Sequence, residues 1–517
     1  MKKYFVLTVS LAFILIFSMI AFAGSPPKDI LVAAENIEAV SLDPAVAYEF
    51  SSVNTCMNVY DTLIVYKNGD FSKPYPGLAE RWEVSPDGLV WTFYLRKGIK
   101  FSTGNELTAE DVVYSFKRAM AINKGPAWIL EENVKDIKAV DKYTVAITIK
   151  QPSAYFLTTL YNPVAAPVDS KVVKAHEKDG DWGEAWLTEH SAGVGPFILK
   201  KWERNVGITL VRNDNYWGEK AKVKKVILRD IKEANTQKMM LEKGDLDIAF
   251  ALTNEMKIDL KNNPNIKMVR GVNLRIGYLG MNVLKKPLDN VKVRQAIRYA
   301  IDYDAIRNKL AKGMGLRMEG VIIKGLLGYK PSLGIYEYNP KKAKRLMKEA
   351  GYENGFEITL TTSSGPSSMG LILEDLGALV QQNLAAIGIK VKLQFLAGSA
   401  YLQLYRNKKT ELNIGAWGAD YPDPHNFVQP FGRTGGSLAK RLSYSNPGLD
   451  MIIDKAAKEL DPEKRVKLYD AAQDILCVDG PYAFLLQPEG IIPMRKRVEG
   501  FSYDPLNVYS FRTVYKK

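Results

Sequence analysis

Between residues 356 and 417 the hydrophobic pattern changes period four times, and few chain architectures can absorb that. Phe356, Ile358 and Leu360 alternate as a half-buried strand does, and a helix follows from about Leu371 to Ile387, closed by Gly388. Ile389, Val391, Leu393 and Phe395 alternate again, and a short helix around Ala400 to Arg406 leads into the strand Leu412 to Trp417. This β-α-β-α-β order predicts a parallel sheet, because each helix carries the chain back to the edge it left, by right-handed crossovers. The fold class is therefore α/β. In open sheets of this kind ligands bind beyond the carboxyl ends of the strands.

The segment leaving the third strand is A-W-G-A-D-Y-P-D-P-H-N-F, Ala416 to Phe427. Its two prolines prevent helix or sheet from continuing. Trp417, Asp420, Tyr421 and Asp423 thereby stand where this architecture puts binding chemistry, and the serine-rich loop Ser363 to Ser368 leaves a neighbouring strand at the same edge.

Elsewhere the signals are shorter. Trp91 to Leu95 and Val145 to Ile149 are β-rich runs. Between them Thr108-Ala109-Glu110-Asp111 has capping-box form, with Asp for the usual Glu or Gln, and opens a helix carrying Val112, Val113, Phe116 and Met120 on one face. Ile208 to Val211 reads as a strand ended by the turn Asn213-Asp214-Asn215, and a helix from Gln237 to Glu242 closes at Lys243-Gly244. Val293, Ala296, Ile297, Ala300 and Ile301 lie on one helical face. Asn339-Pro340 is a cap and first-turn proline for a helix that stops at Gly351.

At 517 residues the chain has room for two or three domains. Its net charge of +14 is dispersed, so a solvated surface explains it better than a nucleic-acid face. Lys2 and Lys3 precede an apolar run from Tyr4 to Phe22 that ends in Ala21-Phe22-Ala23, which predicts a signal peptide over residues 1–23 and export to the periplasm. The run is long enough that an uncleaved anchor is the other reading. No cysteine lies near the cut, so the expectation is not a lipoprotein. Cys56 and Cys477 leave two readings, one bridge or two buried thiols.

Enzyme signatures are thin. His176-Glu177 has Gly180 where a zincin needs its second histidine, Gly193-x-Gly195 lacks a third glycine, and no G-x-S-x-G or Walker motif occurs. Asp420, Asp423 and His425 are all metal-ligating types, but the prolines between them oppose a common site. No cofactor and no resident metal are expected.

Several stretches resemble one family in order along the chain. Leu78 to Phe116, beginning L-A-E-R-W-E-V-S-P-D-G, is similar to the signature region of the extracellular solute-binding proteins, family 5, of ABC importers, which capture oligopeptides, dipeptides or nickel complexes. G-V-G-P-F-I-L with V-R-N-D-N-Y-W, V-R-Q-A-I-R-Y-A-I-D, Y-N-P-K-K-A-K-R-L-M, W-G-A-D-Y-P-D-P and G-F-S-Y-D-P-L-N resemble its further blocks. The resemblance implies a two-lobed periplasmic-binding-protein clamshell of type II-like form, with an extra subdomain inserted in the first lobe. Residues 24–60, 188–276 and 488–517 would form lobe I, 61–187 the inserted subdomain and 277–487 lobe II. It implies a monomer that closes over a solute and delivers it to a membrane permease driven by ATPase subunits.

The same resemblance implies the site. Asp420, in W-x-A-D-Y, would pair with a peptide's α-amino group, with Trp417 and Tyr421 beside it. Tyr48, Glu49 and Phe50 would offer backbone to an extended peptide, and Trp128 would line the cavity from the inserted subdomain. One departure stands out: where relatives place an arginine for the peptide carboxylate, this chain has Ile414 and the loop Ser363 to Ser368. A metal chelate, another amine-bearing solute, or a secreted metallopeptidase built on Asp420, Asp423 and His425 are the alternative readings.

Overall fold

The computed structural model describes residues 26–517 apart from 68, 332 and 334–336; the signal-peptide expectation lies outside the described residues. One twelve-stranded sheet runs through the molecule. In chain order its strands are β1 (Ile30–Glu35), β2 (Phe197–Glu203), β3 (Gly207–Arg212), β4 (Lys225–Asp230), β5 (Ile248–Ala249), β6 (Ile266–Val272) and β7 (Arg275–Met281). There follow β8 (Gly315–Arg317), β9 (Phe356–Ser363), β10 (Ile389–Leu396), β11 (Leu412–Gly418) and β12 (Tyr482–Arg495). The lateral order is β10-β9-β11-β7-β12-β5-β1-β4-β3-β2, with β6 and β8 also paired to β12.

The parallel unit legible in the sequence is present. β9 pairs in parallel with β10 from Phe356↔Ile389 to Ser363↔Leu396, and with β11 at Leu360↔Leu412. What the local pattern did not reveal is the neighbour on the other side: β7 lies antiparallel to β11, placing Arg275 opposite Gly418. The class is mixed α/β, as expected.

The long strand β12 belongs to two halves. Its first part pairs with β7 and β8, its second with β6 and β5, and the changeover falls at Pro488 and Glu489. A second passage is the short link Asn273-Leu274 between β6 and β7. Nearly every residue of β12 is buried, which is why its sequence shows no alternation of apolar and polar residues.

A separate four-stranded antiparallel sheet is built from Ala79–Val84, Val90–Leu95, Thr144–Ile149 and Val134–Asp141. Packed on it is a helix, Ala109–Ile122, capped as the sequence predicts: Thr108 and Asp111 satisfy each other's backbone N–H groups. Arg118 of that helix forms a buried ion pair with Asp43, tying this unit to the segment that precedes Tyr48. The two cysteines are both buried and unbridged to each other; Cys56 donates to the Leu42 carbonyl and Cys477 to the Glu319 carbonyl, so the two-thiol reading holds.

Candidate functional site

The loop after β11 is shaped by its prolines and by one asparagine. The Asp420 backbone N–H donates to Asn426 Oδ1 at 2.8 Å, and Trp417 Nε1 donates to the Asn426 carbonyl at 2.8 Å. From the inserted unit, Asn162 Nδ2 donates to the Asp420 carbonyl at 3.2 Å. These bonds take up the loop's backbone and leave its carboxylate turned inward. A cavity of about 260 Å³ opens there, lined by Tyr48, Phe50, Asn162, Arg275, Trp417 and Asp420 among others. Its walls thus come from the segment Tyr48 to Met57, from β7 and β11 with the loop after β11, and from the stretch around Asn162.

Asp420 Oδ2 is shielded from solvent and has no hydrogen-bond partner. Burial pushes the Asp420 carboxyl up to about 6, and the neighbouring Tyr48 hydroxyl and Asn426 side chain draw it only partway back. No lysine or arginine forms an ion pair with it among the described residues. A carboxylate on a cavity wall with one oxygen left unsatisfied is costly in the empty protein and ready for a cation.

Asp423, three residues on, is arranged in the opposite way. It takes a bidentate pair from Arg465 at 2.7 and 2.8 Å and also accepts the His425 backbone N–H at 2.8 Å. His425 stacks on Tyr155 with centroids 4.2 Å apart, and burial pushes its imidazole down to about 4. Asp423 is therefore committed to a guanidinium, and among the described residues no group of three or more His, Cys, Asp or Glu side chains could hold a metal ion.

The sequence-derived candidates divide. Asp420, Trp417, Tyr48 and Phe50 come together on the cavity wall. Tyr421, Trp128 and Glu49 do not line it. Tyr421 is buried against Tyr155 in a stack with centroids 5.7 Å apart, because Pro422 turns the chain away directly after it. Trp128 packs behind, on Tyr421, with its indole reaching the Tyr48 hydroxyl. The Glu49 carboxylate, at the N-cap of the helix Phe50–Val59, accepts the Ser52 hydroxyl at 3.2 Å.

Arg275 is the wall residue the sequence reading missed. It is 8% exposed, its guanidinium lies over the Phe50 ring at 4.5 Å, and Nη1 donates to the Ser368 carbonyl at 3.3 Å. Nothing in L-R-I-G-Y marks it; a strand-opening arginine ordinarily faces water.

A family model described as bacterial extracellular solute-binding proteins, family 5, middle region, matches residues 73–438. The chain belongs to this family. The probable D,D-dipeptide-binding periplasmic protein DdpA of Escherichia coli K12 is 32% identical over 497 residues, spanning 95% of each chain. The heme-binding protein A of Haemophilus influenzae is 29% identical, spanning 91% of this chain and 89% of that one. Among solved structures, the family 5 chain superposes with a TM-score of 0.82 and 30% identity on the ABC transporter-associated periplasmic binding protein DppA from Helicobacter pylori, in complex with peptide STSA. That match covers 94% of this chain and 98% of that one. The two-lobed clamshell is thus the architecture of this protein, and no helix among the described residues is long and apolar enough to cross a membrane.

Proposed function

We propose that this family 5 protein is the extracytoplasmic capture component of an ABC importer, that its solutes are short peptides, and that it carries out no turnover of its own. The observation that carries the peptide reading is the Asp420 carboxylate, on the wall of the cavity with one oxygen unsatisfied and no cation of the chain paired to it among the described residues. A peptide's α-ammonium supplies the missing charge and donors, and Trp417 and Tyr48 cover the amine from bulk water. Relatives named for dipeptides and a structural neighbour holding a peptide support the same reading.

The lobes are 24–60 with 188–276 and 488–517 on one side, and 277–487 on the other, with 61–187 as the inserted subdomain. Closure turns about the two passages between them, Asn273-Leu274 and Pro488-Glu489. Hinges of this kind need only a few residues that absorb a change of backbone angles. The closed form docks on permease subunits whose ATPase partners supply the energy. Export to the periplasm, without lipid attachment, completes the proposal.

Native mass spectrometry on protein drawn from the exported fraction tests this directly. Released masses that fragment as peptides are the expected result. A metal complex, or a solute lacking an amine, would overturn the peptide reading while leaving the clamshell intact.

A further inference from the structure

The other buried arginines of this protein are well partnered. Arg118 faces Asp43, Arg465 faces Asp423, and Arg294 meets Asp479 and three backbone carbonyls. Arg275 stands apart. Among the described residues no carboxylate approaches it within ion-pair distance, and its hydrogen bonding to protein is the single 3.3 Å contact to Ser368. A guanidinium carries five N–H donors, so most of its capacity is unspent. Burial holds its basicity below the usual arginine range, and the titratable groups that face it are Tyr503 and Tyr509, not acids.

Its surroundings are open where an anion would arrive. Arg275 lines the 260 Å³ cavity and also a neighbouring one of about 390 Å³, so it stands at the wall the two share. Directly across the ladder is Gly418, where a Cβ would lie 3.2 Å from Nη2 and crowd the guanidinium edge. Asp420 follows Gly418 by two residues, so cation and anion are presented from adjacent points of one wall. Phe50, at the start of the helix Phe50–Val59, lies with its ring centroid 4.5 Å from the guanidinium carbon.

We propose that Arg275 binds the carboxylate of the captured solute, so that the site reads a short peptide with both termini free: ammonium on Asp420, carboxylate on Arg275. This rests on the Asp420 reading for the amine but is separable from it. It also supplies, from a different strand, the carboxylate recognition that Ile414 and the loop Ser363 to Ser368 lack. Lys232 and Lys257 line the larger cavity and are the competing cations.

The test is a set of di- and tripeptides with neutral side chains, each in free, N-acetylated and C-amidated form, titrated calorimetrically into the full protein. The expected result is that amidation weakens binding on the order of a hundredfold. Arg275→Gln should bind the free acid and the amide alike, and Arg275→Lys should recover part of the preference. Equal affinity of wild-type protein for acid and amide overturns the assignment, and needs no variant to fold. So does a preference for the acid that survives in Arg275→Gln, which would move the carboxylate to Lys232 or Lys257. Loss of binding on acetylation alone, with amides unaffected, upholds Asp420 and removes Arg275. If no form binds, both readings fall together.

Discussion

Asp420 and Asp423 share one loop, yet one is closed and the other open. Asp423 lies behind the cavity wall, where Arg465 fills both of its oxygens and Tyr469 hydrogen-bonds the same guanidinium. Asp420 lies on the wall with one oxygen unsatisfied. The difference separates two uses of a buried charge. A pair completed within the chain fixes geometry; a charge left incomplete stores a demand that only a solute can meet. The arginines divide in the same way, Arg465 closed and Arg275 open.

The contrast can be broken most forcefully on its closed side. Asp423→Ala leaves the Arg465 guanidinium buried without a counter-charge, and stability measured by urea unfolding should fall by about 3–5 kcal/mol. Replacing both members, Asp423→Ala with Arg465→Met, should recover part of that loss, since no charge is then stranded. On the open side, Asp420→Asn should leave urea stability unchanged or slightly raised, because it removes an unpaired buried charge. Peptide affinity by calorimetry should meanwhile fall by about 2–5 kcal/mol. A variant that lost stability and kept affinity would reverse the roles assigned to the two aspartates.

Proton linkage sharpens the comparison at smaller amplitude. The Asp420 carboxyl is raised to about 6, so in the empty protein it is largely protonated below that pH, and an ammonium must displace the proton to bind. Affinity should therefore drop about tenfold per pH unit below 6, and be level from there to about 8, where peptide amines begin to lose charge. The empty protein should follow the opposite course. Asp420, Glu35 at about 7 and Asp504 at about 7 hold protons more tightly folded than unfolded. They favour the folded state at low pH, and stability declines as pH rises from about 4 through 7. The smallest effect belongs to Trp417→Phe, which removes the hydrogen bond to the Asn426 carbonyl and should cost about 1 kcal/mol of affinity, roughly fivefold.

The parallel unit β9 to β11 could be read from the sequence because each of its elements announces itself locally, by period 2, by period 3.6, or by Gly388 at a left-handed helix end. The place of Asp420 on the cavity wall was legible because this architecture opens its cavities at the loops after parallel strands. Arg275 was not. Its distinguishing property is the lack of an acid nearby, and that is settled by β7, β11 and the helix at Phe50, far apart in sequence. Tyr421 misled for a related reason: adjacency to Asp420 along the chain says nothing of which way Pro422 sends the next side chain. β12 was equally opaque, since a strand buried on both faces carries no alternation to show that it serves two sheets' worth of partners.

That shared strand also bears on how the protein is made. β12 lies near the carboxyl end, between β7 on one side and β5 on the other, and β5 in turn pairs with β1 at the opposite end of the chain. During synthesis, multidomain chains ordinarily fold their amino-terminal parts first. Here the two halves of the main sheet cannot be joined until residues 482–495 have left the ribosome. The strand that joins the two halves of the main sheet is thus among the last parts of the chain to be made.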